Sequence, residues 1–357
     1  MKQFLLLLAF SISTFQIFAT IRTVSNSPAT LAQFNNIQSA INAATSGDTI
    51  YVHGSPNPYL AFTITDKQLV IIGPGWNPNK NLPFTAIIPG FTINGSLSSN
   101  TELQGLVVTT TMALNTDHPN NVRFIRNQFI NSSVQLLQSG TYIGFLFEGN
   151  VFDNSFVHAS TNSTYQNFLF QNNYFYESGC CVNGSINGFT NSINVLFNHN
   201  IWYGPSTGTR DCFVSNCRFL TITNNIFVKR NAANANSFST FNNNITFTAG
   251  TNNPWAVNSN TDAGGNVVNT DPQMVDQTAI NGGTNNPLLD FTIAAGPANN
   301  SGSDLKDMGF LFDAVGSLNW LNSRGSRLPF LFSMNIINPT IPVGGTLNVA
   351  VEARKNN

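Results

Sequence analysis

"NFLFQNNYF", residues 167–175, places two apolar residues one apart, then two asparagines, then an aromatic pair. The same design recurs as IGFLFEGNVF at 143–152, INVLFNHNIW at 193–202 and RFLTITNNIF at 218–227. Taking the Asn of each Asn-x-aromatic triplet as position zero gives Asn127, Asn150, Asn173, Asn200 and Asn225, separated by 23, 23, 27 and 25 residues. Two positions on stand Phe129, Phe152, Phe175, Trp202 and Phe227. Three positions back stand Phe124, Phe147, Phe170, Phe197 and Ile222, and five back come Val122, Phe145, Phe168, Val195 and Leu220. Each column keeps one chemical type.

Apolar residues two apart follow strand alternation, since successive side chains of a strand point to opposite faces. Short strands repeated at a fixed period in the low twenties predict an all-β parallel solenoid, in which each turn lies on the last and equivalent side chains stack into ladders. The position-zero Asn is expected at a bend, in the left-handed region that Asn tolerates. There its amide would donate to the amide of the next turn, as in cross-β ladders.

The flanks extend this coil. DTIYV (48–52), KQLVIIG (67–73) and LQGLVVT (103–109) read as earlier strands, and STFNNNITF (239–247) as a further turn. Ile37, Ala40, Ile41 and Ala44 at helical spacing, followed by Gly47, predict a short amphipathic helix that caps the open end. Residues 321–357 hold two apolar strands broken by Pro339, Pro342 and Gly344-Gly345. They read as a C-terminal β cap, or as a docking element for a partner or surface.

MKQFLLLLAFSISTFQIFA at the start has the basic, apolar and small-residue order of a secretory signal peptide, with cleavage expected after Ala19. The expected layout is therefore signal peptide 1–19, β-helix domain 20–320 and C-terminal element 321–357. That makes the protein secreted or cell-surface, with no membrane span once the leader is removed. Charged residues are 9% of the chain and the net charge is −1. Without a concentrated positive surface, a nucleic-acid partner is not expected. Solubility must come from amides and hydroxyls, while 30 Phe residues supply core. Cys180, Cys181, Cys212 and Cys217 fall in one short window. In an exported chain they read as loop-tying disulfides, with buried free thiols as the alternative; adjacent Cys180-Cys181 is poor metal-ligand spacing.

IQSAINAATSGDTIYVHGS and ITDKQLVIIGPGW near the start resemble the opening of right-handed parallel β-helix proteins of the pectin-lyase-like superfamily. DPQMVD and LDFTIAAGPANNSGSDLKDMG resemble the closing turns of its exported bacterial members. The resemblance implies a right-handed parallel β-helix. It does not choose a function, since that superfamily holds lyases, hydrolases, esterases, adhesins and members of no assigned activity.

The motifs of its enzymes are missing: there is no Asp-Asp, Gly-His-Gly or Arg-Ile-Lys for polygalacturonase-like hydrolysis, and no Trp-Ile-Asp-His or Arg-x-Pro-x-x-Arg for pectate-lyase-like elimination. No run gathers carboxylates for Ca²⁺. No catalytic residue, metal site or cofactor is assigned. The turns after the Asn column bring Asp153, Tyr176, Glu177, Tyr203, Lys229 and Arg230 onto successive rungs of one face. Tyrosine rings under sugar faces and a Glu/Lys pair could make a polysaccharide site, against the plainer reading of a solvated face. His199 is expected to face solvent, and His158 to approach Asp153 and Glu177. The favoured function is a non-catalytic, glycan-binding or structural β-helix; the alternative is a polysaccharide lyase or glycoside hydrolase. Oligomeric state is not indicated.

Overall fold

The computed structural model describes residues 19–77, 84–115, 117–178, 184–205, 211–214, 216–233, 235–250, 255–293 and 295–311, with the backbone of Phe330–Ile336 and Val349–Arg354. Apart from Ala19, the expected leader lies outside the described residues, as do Cys180 and Cys181.

The chain winds through about eight turns of a β-solenoid. One circuit runs through strands Arg123–Ile125, Gln128–Ile130, Ser133–Leu136 and Thr141–Ile143. Each of its strands pairs in parallel with the equivalent strand of the next circuit, as in Phe124↔Phe147, Phe129↔Phe152, Val134↔Val157 and Tyr142↔Tyr165. Stacking of the circuits builds parallel sheets of 11, 8, 7 and 3 strands. Helix α1, Ile37–Ala43, buries Ile37, Ala40 and Ile41 at the first turns, and Asn36 caps it by accepting from the Ser39 N–H at 2.7 Å. The helix ends at Ala43, before Gly47, which occupies a separate left-handed turn.

The interior columns are continuous. Phe124, Phe147, Phe170 and Phe197 stack at ring-centroid spacings of 4.9, 4.5 and 4.3 Å. Phe129, Phe152, Phe175, Trp202 and Phe227 stack at 5.0, 4.7, 4.7 and 4.9 Å. These spacings are the sheet spacing, so strand pairing and ring stacking reinforce one another. Burial of each ring contributes roughly 1.5–3 kcal/mol.

Between the 11- and 8-stranded sheets the asparagines form a ladder of seven, Asn127 to Asn266. The left-handed residue of that bend is the one before the ladder position: Arg126, Gly149, Asn172, His199, Asn224 and Asn243. The expectation that the ladder Asn itself takes that conformation is corrected. The preceding residue reverses the chain, and this turns the ladder carboxamide inward, where Asn150, Asn173, Asn200 and Asn225 are fully buried.

The 8-stranded sheet is buried on both faces. Its inner face joins the coil core, while outside it Val151, Tyr174, Ile201, Ile226 and Ile245 pack under Met274, Ile280, Phe291, Ile293, Met308 and Phe310. The covering segment, residues 271–311, contains helix α2, Gln277–Asn281, and folds back along the coil as a strap. It is pinned to the left-handed bends: Gly309 N–H donates to Asn224 O at 2.7 Å, Ser303 N–H to Asn224 Oδ1 at 2.7 Å, and Leu311 N–H to Asn172 Oδ1 at 3.1 Å. Gly309 has a φ of +79°, and a Cβ there would lie 2.6 Å from Ile226 Cδ1, so the close approach requires glycine. At the C-terminus, Phe330–Ile336 pairs antiparallel with Val349–Arg354. Among the described residues no helix is long and apolar enough to cross a membrane.

Candidate functional site

The register places Asp153, Tyr176 and Tyr203 directly over one another, with Val228 next, so the sequence-predicted residues do share a face. That face is not open. Tyr176, Glu177, Tyr203 and Arg230 are buried, and Asp153 and Lys229 are half-buried. The expectation of tyrosine rings offered to sugar is corrected: the strap covers them. Tyr176 Oη donates to Gly283 O at 2.9 Å and Tyr203 Oη to Thr284 O at 2.7 Å. Asp153 Oδ1 accepts from Asn285 Nδ2 at 2.8 Å, and burial pushes the Asp153 carboxyl above its ordinary range despite that bond. Lys229 Nζ donates to Pro205 O at 3.3 Å and to Asn281 O. Arg230 donates to the Glu177 carbonyl, and the Glu177 carboxylate accepts from Ser185 Oγ at 2.6 Å. Asp153, Tyr176, Tyr203 and Lys229 thus tie the strap to the coil, while Glu177 and Arg230 bond within the coil.

His199 is also buried rather than solvent-facing. Its Nδ1 meets Gly309 O at 3.0 Å, and its Nε2 lies 3.2 Å from Asp304 Oδ2 and 3.3 Å from Asn224 Nδ2. The carbonyl requires a proton on Nδ1, so the neutral ring accepts from Asn224 through Nε2. Burial lowers the imidazole pKa, against the opposing pull of Asp304. His158 occupies the outer face of the 7-stranded sheet, in register with Gln135 and Asn187. Cys212 and Cys217 are free, buried thiols, both pushed up by burial, Cys217 to about 12.

An open groove of about 490 Å³ lies elsewhere, on the outer face of the 11-stranded sheet. Its floor is the register column Val70, Glu102, Arg123, Leu146 and Leu169. Along one rim run Gln68, Asn100, Asn121, Gly144 and Asn167, the residues that turn the chain into this sheet; Asn100, Asn121, Gly144 and Asn167 have positive φ. The carboxamides of Asn100, Asn121 and Asn167 are exposed. Gly144 makes the notch between two of them, since a Cβ there would lie 2.0 Å from Asn121 Oδ1. Glu102, nearly buried, pairs with the half-exposed Arg123 at 3.3 Å. The groove therefore offers amides beside an aliphatic floor with one neutralised ion pair. Such a surface can bind hydroxyls and apolar C–H faces together.

The rim stands six positions before each ladder Asn: Asn121, Gly144, Asn167 and Asn194, then Phe219 and Phe238. Four Asn or Gly residues in that column were the available signal. That column lies on the side of the ladder Asn away from the aromatic pair.

Parallel pairing through about eight turns, interior ring stacks and an inward amide ladder define a parallel β-helix. No protein-family model matches the chain, and no curated protein matches it. Among solved structures the chain is similar to one described as the crystal structure of pectate lyase Pel9A, at 15% identity and a TM-score of 0.43, over 82% of this chain and 96% of that one. No activity carries over at that level of likeness.

Proposed function

We propose that the protein is an exported, non-catalytic glycan-binding β-helix, secreted or held at the cell surface. The observation that carries this reading is the groove, where the exposed Asn100, Asn121 and Asn167 form one rim beside a floor that includes Leu146 and Leu169. An extended polysaccharide lying along the coil axis would cross rungs about 4.8 Å apart, with a rim amide at each except that of Gly144. The export half rests on the first 19 residues of the sequence.

Cleavage has less support. The groove lining carries one carboxylate, Glu102, paired with Arg123. Glycoside hydrolysis uses two carboxyl groups across the scissile bond, and proton abstraction needs an available base.

A glycan array probed with the chain from residue 20 onward, scored for retention and for new reducing or unsaturated ends, tests the proposal. Retention without cleavage, weakened at least about tenfold by Asn121→Leu together with Leu169→Asp, is the expected result. Cleavage would replace the reading with an enzymatic one, and no retention on any polysaccharide would remove it.

A further inference from the structure

We infer that the groove selects a neutral polysaccharide and excludes polyuronates. The inference rests on the glycan-binding reading and specifies its ligand. The floor spans five rungs, from Val70 to Leu169, a length of about 19 Å. Within it Arg123 is the one cation, and the Glu102 carboxylate beside it already cancels its charge.

A polyuronate carries a carboxylate on every sugar. Several would have to leave water over this stretch with no free cation to meet them, and burying unpaired charge is costly. Divalent bridging does not rescue the fit, because among the described residues no three His, Cys, Asp or Glu side chains come together to hold an ion. The rim chemistry agrees: a carboxamide offers a donor and an acceptor, both of which a hydroxyl can use, whereas a carboxylate only accepts and can use the amide N–H alone. The aliphatic ledge of Leu146 and Leu169 favours the C–H face of an uncharged ring.

The test is calorimetric titration of the chain with neutral hexasaccharides of glucose, xylose, mannose and galactose, and with hexagalacturonate, each with and without Ca²⁺. At least one neutral probe is expected to bind at least about tenfold more tightly than hexagalacturonate. Glu102→Gln, which frees the Arg123 charge without changing side-chain volume, is expected to raise hexagalacturonate affinity about tenfold and make it salt-dependent. Leu169→Arg adds a cation at a half-exposed site and is expected to act in the same direction even if the buried Glu102 variant folds poorly. Wild-type binding of hexagalacturonate equal to or tighter than every neutral probe overturns the inference and leaves glycan binding intact. Failure of all the probes, charged and neutral, in wild type and both variants counts against the glycan reading itself.

Discussion

Asn150 Nδ2 donates to Asn173 Oδ1 at 3.0 Å, and the Asn150 backbone N–H reaches the same oxygen at 2.9 Å. The second Asn150 amide hydrogen goes to Phe124 O at 2.8 Å. Its own Oδ1 accepts from the Asn127 backbone N–H at 3.0 Å, so one carboxamide satisfies two backbone groups of the preceding turn while joining its own kind into a chain. Buried backbone groups at a bend have no ladder partner of their own, so a side chain must supply one.

Replacing Asn173 breaks that chain in the middle. Asn173→Leu removes its bonds to Asn200 Oδ1 and Phe147 O and orphans two Asn150 donors. A loss of about 3 kcal/mol or more is expected in urea unfolding. Asn173→Asp keeps the shape but cannot donate, and is expected to cost nearly as much at neutral pH. Wild-type stability in both variants would show that the ladder is incidental.

The aromatic columns predict a contrast between inside and outside. Phe175→Ala opens a cavity between Phe152 and Trp202 and is expected to cost about 3–5 kcal/mol. Phe219 is 51% exposed with φ +58°, a conformation Asn adopts more readily. Phe219→Asn is therefore expected to change stability by no more than about 0.5 kcal/mol. Thermal unfolding of the pair separates the two cases.

His199 gives the strap a pH dependence of definite sign. Burial holds its folded pKa below the ordinary value of about 6.5, although Asp304 pulls upward. The unfolded chain therefore takes up the proton first as pH falls. The His199 contribution is complete above about pH 6.5 and is lost on acidification below it. Limited proteolysis within 296–311 should accelerate between pH 7 and pH 5, and His199→Gln should flatten that profile. An unchanged profile in the variant would assign the effect to another group.

Both described thiols should be inert in the folded protein. Burial raises Cys217 to about 12 and Cys212 upward as well, so little thiolate exists at pH 8. Iodoacetamide labelling followed by peptide mapping should leave Cys212 and Cys217 unmodified until denaturant is added. Rapid native labelling of either would contradict their placement in the core.

The coil was legible because an interior column repeats one residue type: Phe147, Phe170 and Phe197 declare their own register. The strap was not, since Met274, Ile280, Phe291 and Met308 follow no period and meet the coil by tertiary contact alone. One sign of it was present. Tyr174-Phe175-Tyr176, Ile201-Trp202-Tyr203 and Ile226-Phe227-Val228 are apolar without alternation, which marks strands buried on both faces. The same pattern puts Tyr176 and Tyr203 beneath a second layer and not in contact with sugar. The groove escaped for a different reason: its shape depends on a missing side chain at Gly144, and a space left by a glycine shows only when the neighbouring rungs are stacked.

Hydrogen exchange followed by mass spectrometry, with and without the tightest-binding oligosaccharide, tests the location of binding most directly. Slowed exchange confined to peptides spanning 98–104, 119–125, 142–148 and 165–171, with the strap at 271–311 unaffected, is the predicted result. Protection centred on Asp153, Tyr203 and the strap, with those groove peptides unchanged, would contradict it.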